Sequence, residues 1–218
     1  TKFLSGHGNA MGGVVIDGGN FDWKQNDKFR TLTEPCPAYH GICFSENFGN
    51  VAYAIYTLAV ALRDLGPTMA PLNAYLTITG IETLPLRMVK HSANALEVAE
   101  WLEKHPSVVA VSYAGLPSSP YHKLAQKYCP SGSGSVFTFS LKGGYEAGVK
   151  LVEQSKLFSH LANIGDTRSL ITHPASTTHR QLSEEHKISA GAGPEVVRLS
   201  IGLEDPIDII ADLEQALD

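Results

Sequence analysis

Little in this sequence serves to staple, span a membrane or cling to a charged surface. Only three cysteines occur among 218 residues, at 36, 43 and 129. An odd number at such low density forms no closed disulfide set and suits a reducing cytosol. No apolar run approaches the ~18 residues of a membrane helix, and the first residues carry neither a charged n-region nor an apolar h-region with a cleavage site. Positive charge is also short: 17 Lys and Arg against 22 Asp and Glu leave a formal charge of −5. That is the wrong sign for holding phosphate backbones or an anionic leaflet. There is no internal repeat and no low-complexity tract. The chain therefore reads as soluble and cytoplasmic, with no nucleic acid and no membrane as partner.

What is present is the balance of a folded globular chain: 43% apolar residues, 18% charged, 20 Gly and 12 Pro. At this length one large or two small domains bury about 70% of the unfolded surface. The chain opens Thr1-Lys2-Phe3-Leu4 without an initiator Met and reaches a glycine-rich stretch by Ser5-Gly6-His7-Gly8. This reads as the middle of a domain, so a longer parent protein is expected.

Gly12-Gly-Val-Val-Ile-Asp-Gly-Gly19 is a short apolar run between glycines and predicts a buried strand. Ala54, Leu58, Ala61, Leu62 and Leu65 recur at helical spacing until Gly66-Pro67 stops the helix. A second helical pattern runs from near Pro71 to His105. It has Leu86, Val89, Ala93, Leu96, Ala99 and Leu102 on one face and Pro85 as a kink or break. Beyond Pro106, strands are predicted at 108–112, 135–141 and 196–202, and helices at 122–128, 145–156 and 206–217. Interleaved strands and helices predict an α/β or α+β sandwich, with Pro85 dividing a 1–84 portion from an 85–218 domain.

Five features are candidates for chemistry. Lys2 stands beside a predicted buried apolar strand, where desolvation lowers an amine's pKa and makes it a nucleophile or base; the alternative is a solvated lysine. Gly6 to Gly13 resembles a phosphate loop but fails the dinucleotide spacing and precedes a strand rather than a helix. Glycines serving positive φ and close packing account for it better. Cys36, His40 and Cys43 offer three soft ligands within eight residues, but a structural zinc site needs a fourth and a tighter cysteine pair, so no metal is expected. His173 and His179 flank a Pro174 turn and make no recognisable triad. Arg198 lies in an apolar strand. It either shares the buried face and needs an anion, for which a carboxylate in its bidentate fork is the natural partner, or it points to water.

Taken together, several stretches resemble the Cys/Met-metabolism family of pyridoxal-phosphate enzymes. They are Thr1-Lys-Phe-Leu-Ser-Gly-His-Gly-Asn-Ala-Met-Gly-Gly-Val-Val-Ile-Asp-Gly-Gly-Asn-Phe-Asp-Trp23, Leu62 to Pro71, Glu82-Thr-Leu-Pro-Leu-Arg-Met88, His160 to His179 and Val197 to Asp205. They run in family order from end to end. The resemblance implies a fold-type-I transferase of aspartate-aminotransferase type: the end of the large cofactor domain over 1–84, then a small α+β domain with a mostly antiparallel sheet over 85–218. It makes Lys2 the catalytic lysine that carries pyridoxal 5'-phosphate, Thr1 a phosphate contact, and Arg198 the holder of the substrate α-carboxylate.

Asn163 stands where cystathionine enzymes have Ser, beside that carboxylate. With the Asp-Gly-Gly-Asn-Phe-Asp-Trp23 segment and Cys36-Pro-Ala-Tyr-His-Gly41, it favours the branch that acts on O-acetylhomoserine with sulfide or a small thiol such as methanethiol. The alternatives are a relative using the succinyl ester or cystathionine, and a non-catalytic folding or subunit-interaction module. In the family the residues that stack on the cofactor ring, pair with its nitrogen and reach its phosphate from a neighbouring subunit precede the lysine. The expected partners are therefore an N-terminal half of the same enzyme and further subunits, as a homotetramer.

Overall fold

The computed structural model describes residues 1–218 and divides into two compact units, Met11–Ala74 and Thr1–Ala10 with Tyr75–Asp218. Pro85 lies inside the latter.

The Met11–Ala74 unit is built from short helices: α1 (Arg30–Thr33), α2 (Phe44–Phe48), α3 (Ala52–Tyr56) and α4 (Arg63–Leu65). A π-helical stretch, Thr57–Leu62, joins the last two, and Gly66 ends the run in the left-handed conformation (φ 70°), as Gly-Pro predicts. Its core is small: Leu32, Phe44 and Ala52 are buried, with Trp23, Tyr39, Phe48 and Tyr53 packed around them. Trp23 stacks on Tyr53 with ring centroids 5.5 Å apart. The expected buried strand at 12–19 is not formed. Val14, Val15 and Ile16 are 73%, 71% and 86% exposed, and the segment enters no ladder. An apolar run becomes a strand only where another strand takes up its backbone donors and acceptors.

The helical pattern from Pro71 resolves into α5 (Pro71–Glu82) and α6 (Leu84–Lys104). Pro85 sits in the first turn of α6, where no donor is lost, so it starts a helix instead of kinking one. The predicted face is half right. Ala99 and Leu102 are buried, whereas Leu86 and Val89 are 75% and 68% exposed, and Arg87, His91 and Asn94 are buried in their place.

The remaining elements are β1 (Val108–Ser112), α7 (His122–Tyr128), β2 (Val136–Leu141), α8 (Gly144–Gln154), β3 (Ser159–His160), β4 (Leu170–Thr172), α9 (Glu184–Ser189), β5 (Val196–Ser200) and α10 (Pro206–Leu217); the six predicted ones appear in order, and the short β3, β4 and α9 were not predicted. The five strands form one sheet in the order β1-β2-β5-β4-β3. It is antiparallel except for the β3–β4 pair. The mostly antiparallel α/β architecture is therefore present.

Alternation in β2 puts Phe137, Phe139 and Leu141 inward, against Val197 and Leu199 of β5 and Ile209 and Leu213 of α10. Asp212 is buried and accepts backbone N–H groups of Lys156, Leu157 and Phe158, which fixes the turn after α8. No helix is long and apolar enough to cross a membrane.

Candidate functional site

The residues singled out as Thr1, Lys2, Asn163 and Arg198 all lie in the unit that holds the sheet. Lys2 begins a tight turn. Gly6 N donates to Lys2 O at 2.8 Å, and Ser5 Oγ approaches Thr1 O and Lys2 O at 3.5 Å. Gly6 has φ +74° and Gly8 φ +63°, which fits the turn role expected of these glycines. The Lys2 side chain is exposed and Thr1 half-buried. The buried strand at 12–19, on which the residue-by-residue reading of Lys2 rested, is not formed.

Arg198 sits centrally on β5, opposite Thr138 of β2 and Thr172 of β4. Its side chain is half-buried, and burial holds its pKa below the ordinary guanidinium value. Nη2 donates to Ala162 O at 2.7 Å and Asn163 O at 3.3 Å. No carboxylate of the chain forms an ion pair with it. Asn163 thus meets the arginine through its main chain, and the residue is half-buried.

One loop, residues 162–167, connects these two features. At one end it accepts from Arg198. In the middle Gly165 N donates to Ser200 Oγ at 2.9 Å, which ties the loop to β5. Gly165 (φ +70°) also lets the Phe3 ring lie close, since a Cβ there would stand 2.8 Å from Phe3 Cδ2. At the far end Thr167 N donates to Gly6 O at 2.8 Å, and buried Asp166 accepts from Arg168 N at 3.0 Å. The lysine turn and the arginine strand are therefore tied to the same loop by a few hydrogen bonds.

Sequence reasoning missed Arg87, which is 5% exposed and whose guanidinium reaches the lysine turn. A legible signal existed: Arg87, His91 and Asn94 repeat at i, i+4 and i+7, a polar stripe along one helix face. His91 Nδ1 donates to Ile201 O at 2.7 Å, leaving a buried Nε2 without a partner, and burial holds its pKa below the ordinary value. Asn94 donates to Gly202 O at 3.1 Å and Glu204 O at 2.8 Å.

The other candidates are structural. Cys36 and Ile42 form an isolated bridge around His40, which is in the left-handed region, while Cys43 is buried with its thiol 3.6 Å from Leu32 O. No group of His, Cys, Asp and Glu is arranged to hold a metal ion. Buried His173 has Nε2 donating to Pro194 O at 2.8 Å and Nδ1 3.0 Å from Ser176 Oγ. A depression in the Met11–Ala74 unit is lined by Val15, Asp17, Tyr53, Thr57 and Leu58 among others. It offers no cation for a carboxylate or phosphate, so the lysine turn and β5 are the better site.

Comparison with known proteins gives the family. The whole chain, residues 1–218, matches the profile of the family described as Cys/Met metabolism PLP-dependent enzyme. It is 50% identical to O-acetyl-L-homoserine sulfhydrylase of Leptospira meyeri and 49% identical to homocysteine synthase of Schizosaccharomyces pombe, with 100% of this chain and 51% of each relative covered. A Campylobacter jejuni crystal structure described as an O-acetylhomoserine (thiol)-lyase, containing N'-pyridoxyl-lysine-5'-monophosphate, superposes with a TM-score of 0.89 at 42% identity. The match covers 99% of this chain and 52% of that one. The chain spans about half the length of the curated relatives it matches.

Proposed function

This chain belongs to the Cys/Met metabolism PLP-dependent enzyme family, and from that premise we propose that it forms part of an enzyme exchanging the acetyl ester of O-acetyl-L-homoserine for sulfide or a small thiol. The products are homocysteine or methionine, and acetate. The observation that carries the proposal is the 162–167 loop, which joins an exposed primary amine on a rigid turn to a half-buried guanidinium that has no carboxylate of its own.

The donor set fits the cofactor: the Lys2 amine for its carbonyl, the Thr1 hydroxyl for its phosphate. Pyridoxal phosphate, when bound, supplies a carbonyl that captures amines and a ring that takes up the electron pair released at the substrate α-carbon. The chain's own residues do the rest. Arg198 binds the α-carboxylate through the part of its guanidinium not committed to Ala162 and Asn163, a charge-assisted contact that fixes the amino acid's orientation. Asn163 lines that carboxylate. The Lys2 Nζ would take protons from the substrate Cα and Cβ so that acetate can leave from Cγ, and would return them to the same carbons once hydrosulfide has added at Cγ.

The same proposal assigns 1–84 to the larger cofactor domain and 85–218 to the small domain. It pairs the chain with the remainder of the enzyme as a cytoplasmic homotetramer. The test is acetate release from O-acetylhomoserine with sulfide in the full-length enzyme. Lys2→Ala is expected to abolish both the visible absorbance of lysine-bound cofactor and turnover, and Arg198→Lys to raise KM for the amino acid. Undiminished cofactor absorbance in Lys2→Ala overturns the site; preference for the succinyl ester overturns the acyl assignment.

A further inference from the structure

Buried arginines ordinarily answer a carboxylate, because a desolvated cation without a partner costs several kcal/mol. Arg87 answers none. It donates from Nη1 to Phe3 O at 2.9 Å, from Nη2 to Leu4 O at 3.3 Å and Gly80 O at 2.8 Å, and from Nε to Thr83 Oγ1 at 3.1 Å. Every acceptor is neutral, and two are the consecutive carbonyls that follow Lys2. A lysine ammonium is a point charge, whereas the planar guanidinium fork spans two peptide planes at once.

The surroundings are shaped for this contact. Gly6 lies so close that a Cβ there would collide with Arg87 Nη1, and Gly6 also has positive φ. A Cβ on Gly80 would collide with the Ser5 and Leu4 carbonyls, so α5 passes directly over the turn. Gly80 O belongs to the last turn of α5, where a cation also complements the helix dipole. Four residues along α6, His91 meets the Phe3 ring edge-on at 5.6 Å and holds Ile201 O. Asn94 then holds Gly202 O. The stripe thus grips the lysine turn at one end and the end of the arginine strand at the other.

We propose that Arg87 is a positioning residue: through the carbonyls of Phe3 and Leu4 it sets the direction in which Lys2 leaves the backbone, and the α6 polar stripe sets the spacing of Lys2 from Arg198. This rests on the reading of Lys2 as the cofactor lysine. Arg87 is buried with its donors engaged by the chain's own oxygens, so its loss is expected to affect turnover rather than thiol binding.

The test has two arms. In the full-length enzyme, amide exchange is followed at Gly6 and Thr167, whose N–H groups close the turn and dock it on the loop. Strong protection is expected, falling about tenfold or more at Gly6 in Arg87→Lys or Arg87→Gln, whichever retains native circular dichroism. Unprotected Gly6 and Thr167 amides in the unsubstituted chain overturn the proposal whatever the variants do.

In the full-length enzyme, Arg87→Lys is expected to shift the pH titration of the lysine-bound cofactor's absorbance. It is also expected to lower kcat about tenfold or more, with KM for sulfide nearly unchanged. An unshifted titration together with unchanged kcat overturns the proposal. Lys2→Ala serves as the separate control: persistence of the absorbance there refutes the cofactor lysine itself, and loss of it with an unshifted Arg87→Lys titration and unchanged kcat refutes only the positioning role.

Discussion

The two compact units of this chain bury their apolar residues to very different degrees. The sheet-bearing unit has nineteen buried hydrophobic residues in one continuous core, whereas Met11–Ala74 has three, surrounded by half-exposed aromatics. One has a five-stranded sheet under α6, α8 and α10; the other has helices of three to five residues, a π-helical stretch and an apolar segment, Val14–Ile16, that no strand covers. The contrast teaches where precision can be stored. Lys2, Arg198, Asn163 and Arg87 all stand on the unit whose backbone is locked by packing and ladder bonds.

The sharpest way to break this comparison is to cut both cores. Phe139→Ala, at the centre of β2, is expected to cost about 3–5 kcal/mol in a urea unfolding experiment. Phe44→Ala removes an equally buried ring from the smaller cluster, where exposed neighbours can collapse into the space, and is expected at the bottom of that range. Equal losses would erase the distinction.

A smaller effect, about 1–3 kcal/mol, is expected of Gly80→Ala, because the added methyl meets backbone carbonyls that cannot rotate away. Faster amide exchange at Gly6 in this variant would place the strain in the lysine turn, and unchanged stability would show that the turn gives way freely.

Below that comes a pH effect. His91 is buried in its neutral form with its pKa lowered from 6.5, so the unfolded chain takes up a proton first as pH falls. Stability from this group is complete above about 6.5 and declines beneath it, by up to about 1.4 kcal/mol per pH unit, until the folded-state pKa is passed. His91→Gln is expected to flatten that slope, and an unaltered slope would assign it to other groups.

The smallest effect belongs to the Met11–Ala74 unit. Glu46→Gln breaks the exposed pair with Lys24, 2.9 Å apart, and is expected to leave the unfolding midpoint unchanged. A measurable drop would mean that this unit leans on its surface more than its packing suggests.

Much of the sheet unit was legible because its signals are local. Alternation in 136–141, helical periodicity in 206–217 and Pro-Gly punctuation depend on a few adjacent residues. Arg198 was legible as a charge in an apolar strand. Arg87 was not singled out: its stripe with His91 and Asn94 can be read in the sequence, but a polar helix face reads as solvated until the chain 84 residues upstream is folded against it. Leu86 and Val89 misled for the converse reason: apolar residues at helical spacing mark a face for burial without saying what covers it.

By itself the sequence determined the order and type of most elements after residue 75, the family, and the residues to suspect, since these follow from local periodicity and from motifs in a fixed order. Only the tertiary structure decided that 12–19 stays out of any ladder, that the polar side of α6 turns inward, and that the 162–167 loop joins Lys2 to Arg198. Each of these depends on which distant backbone group satisfies a donor or acceptor, and no spacing along the chain encodes that.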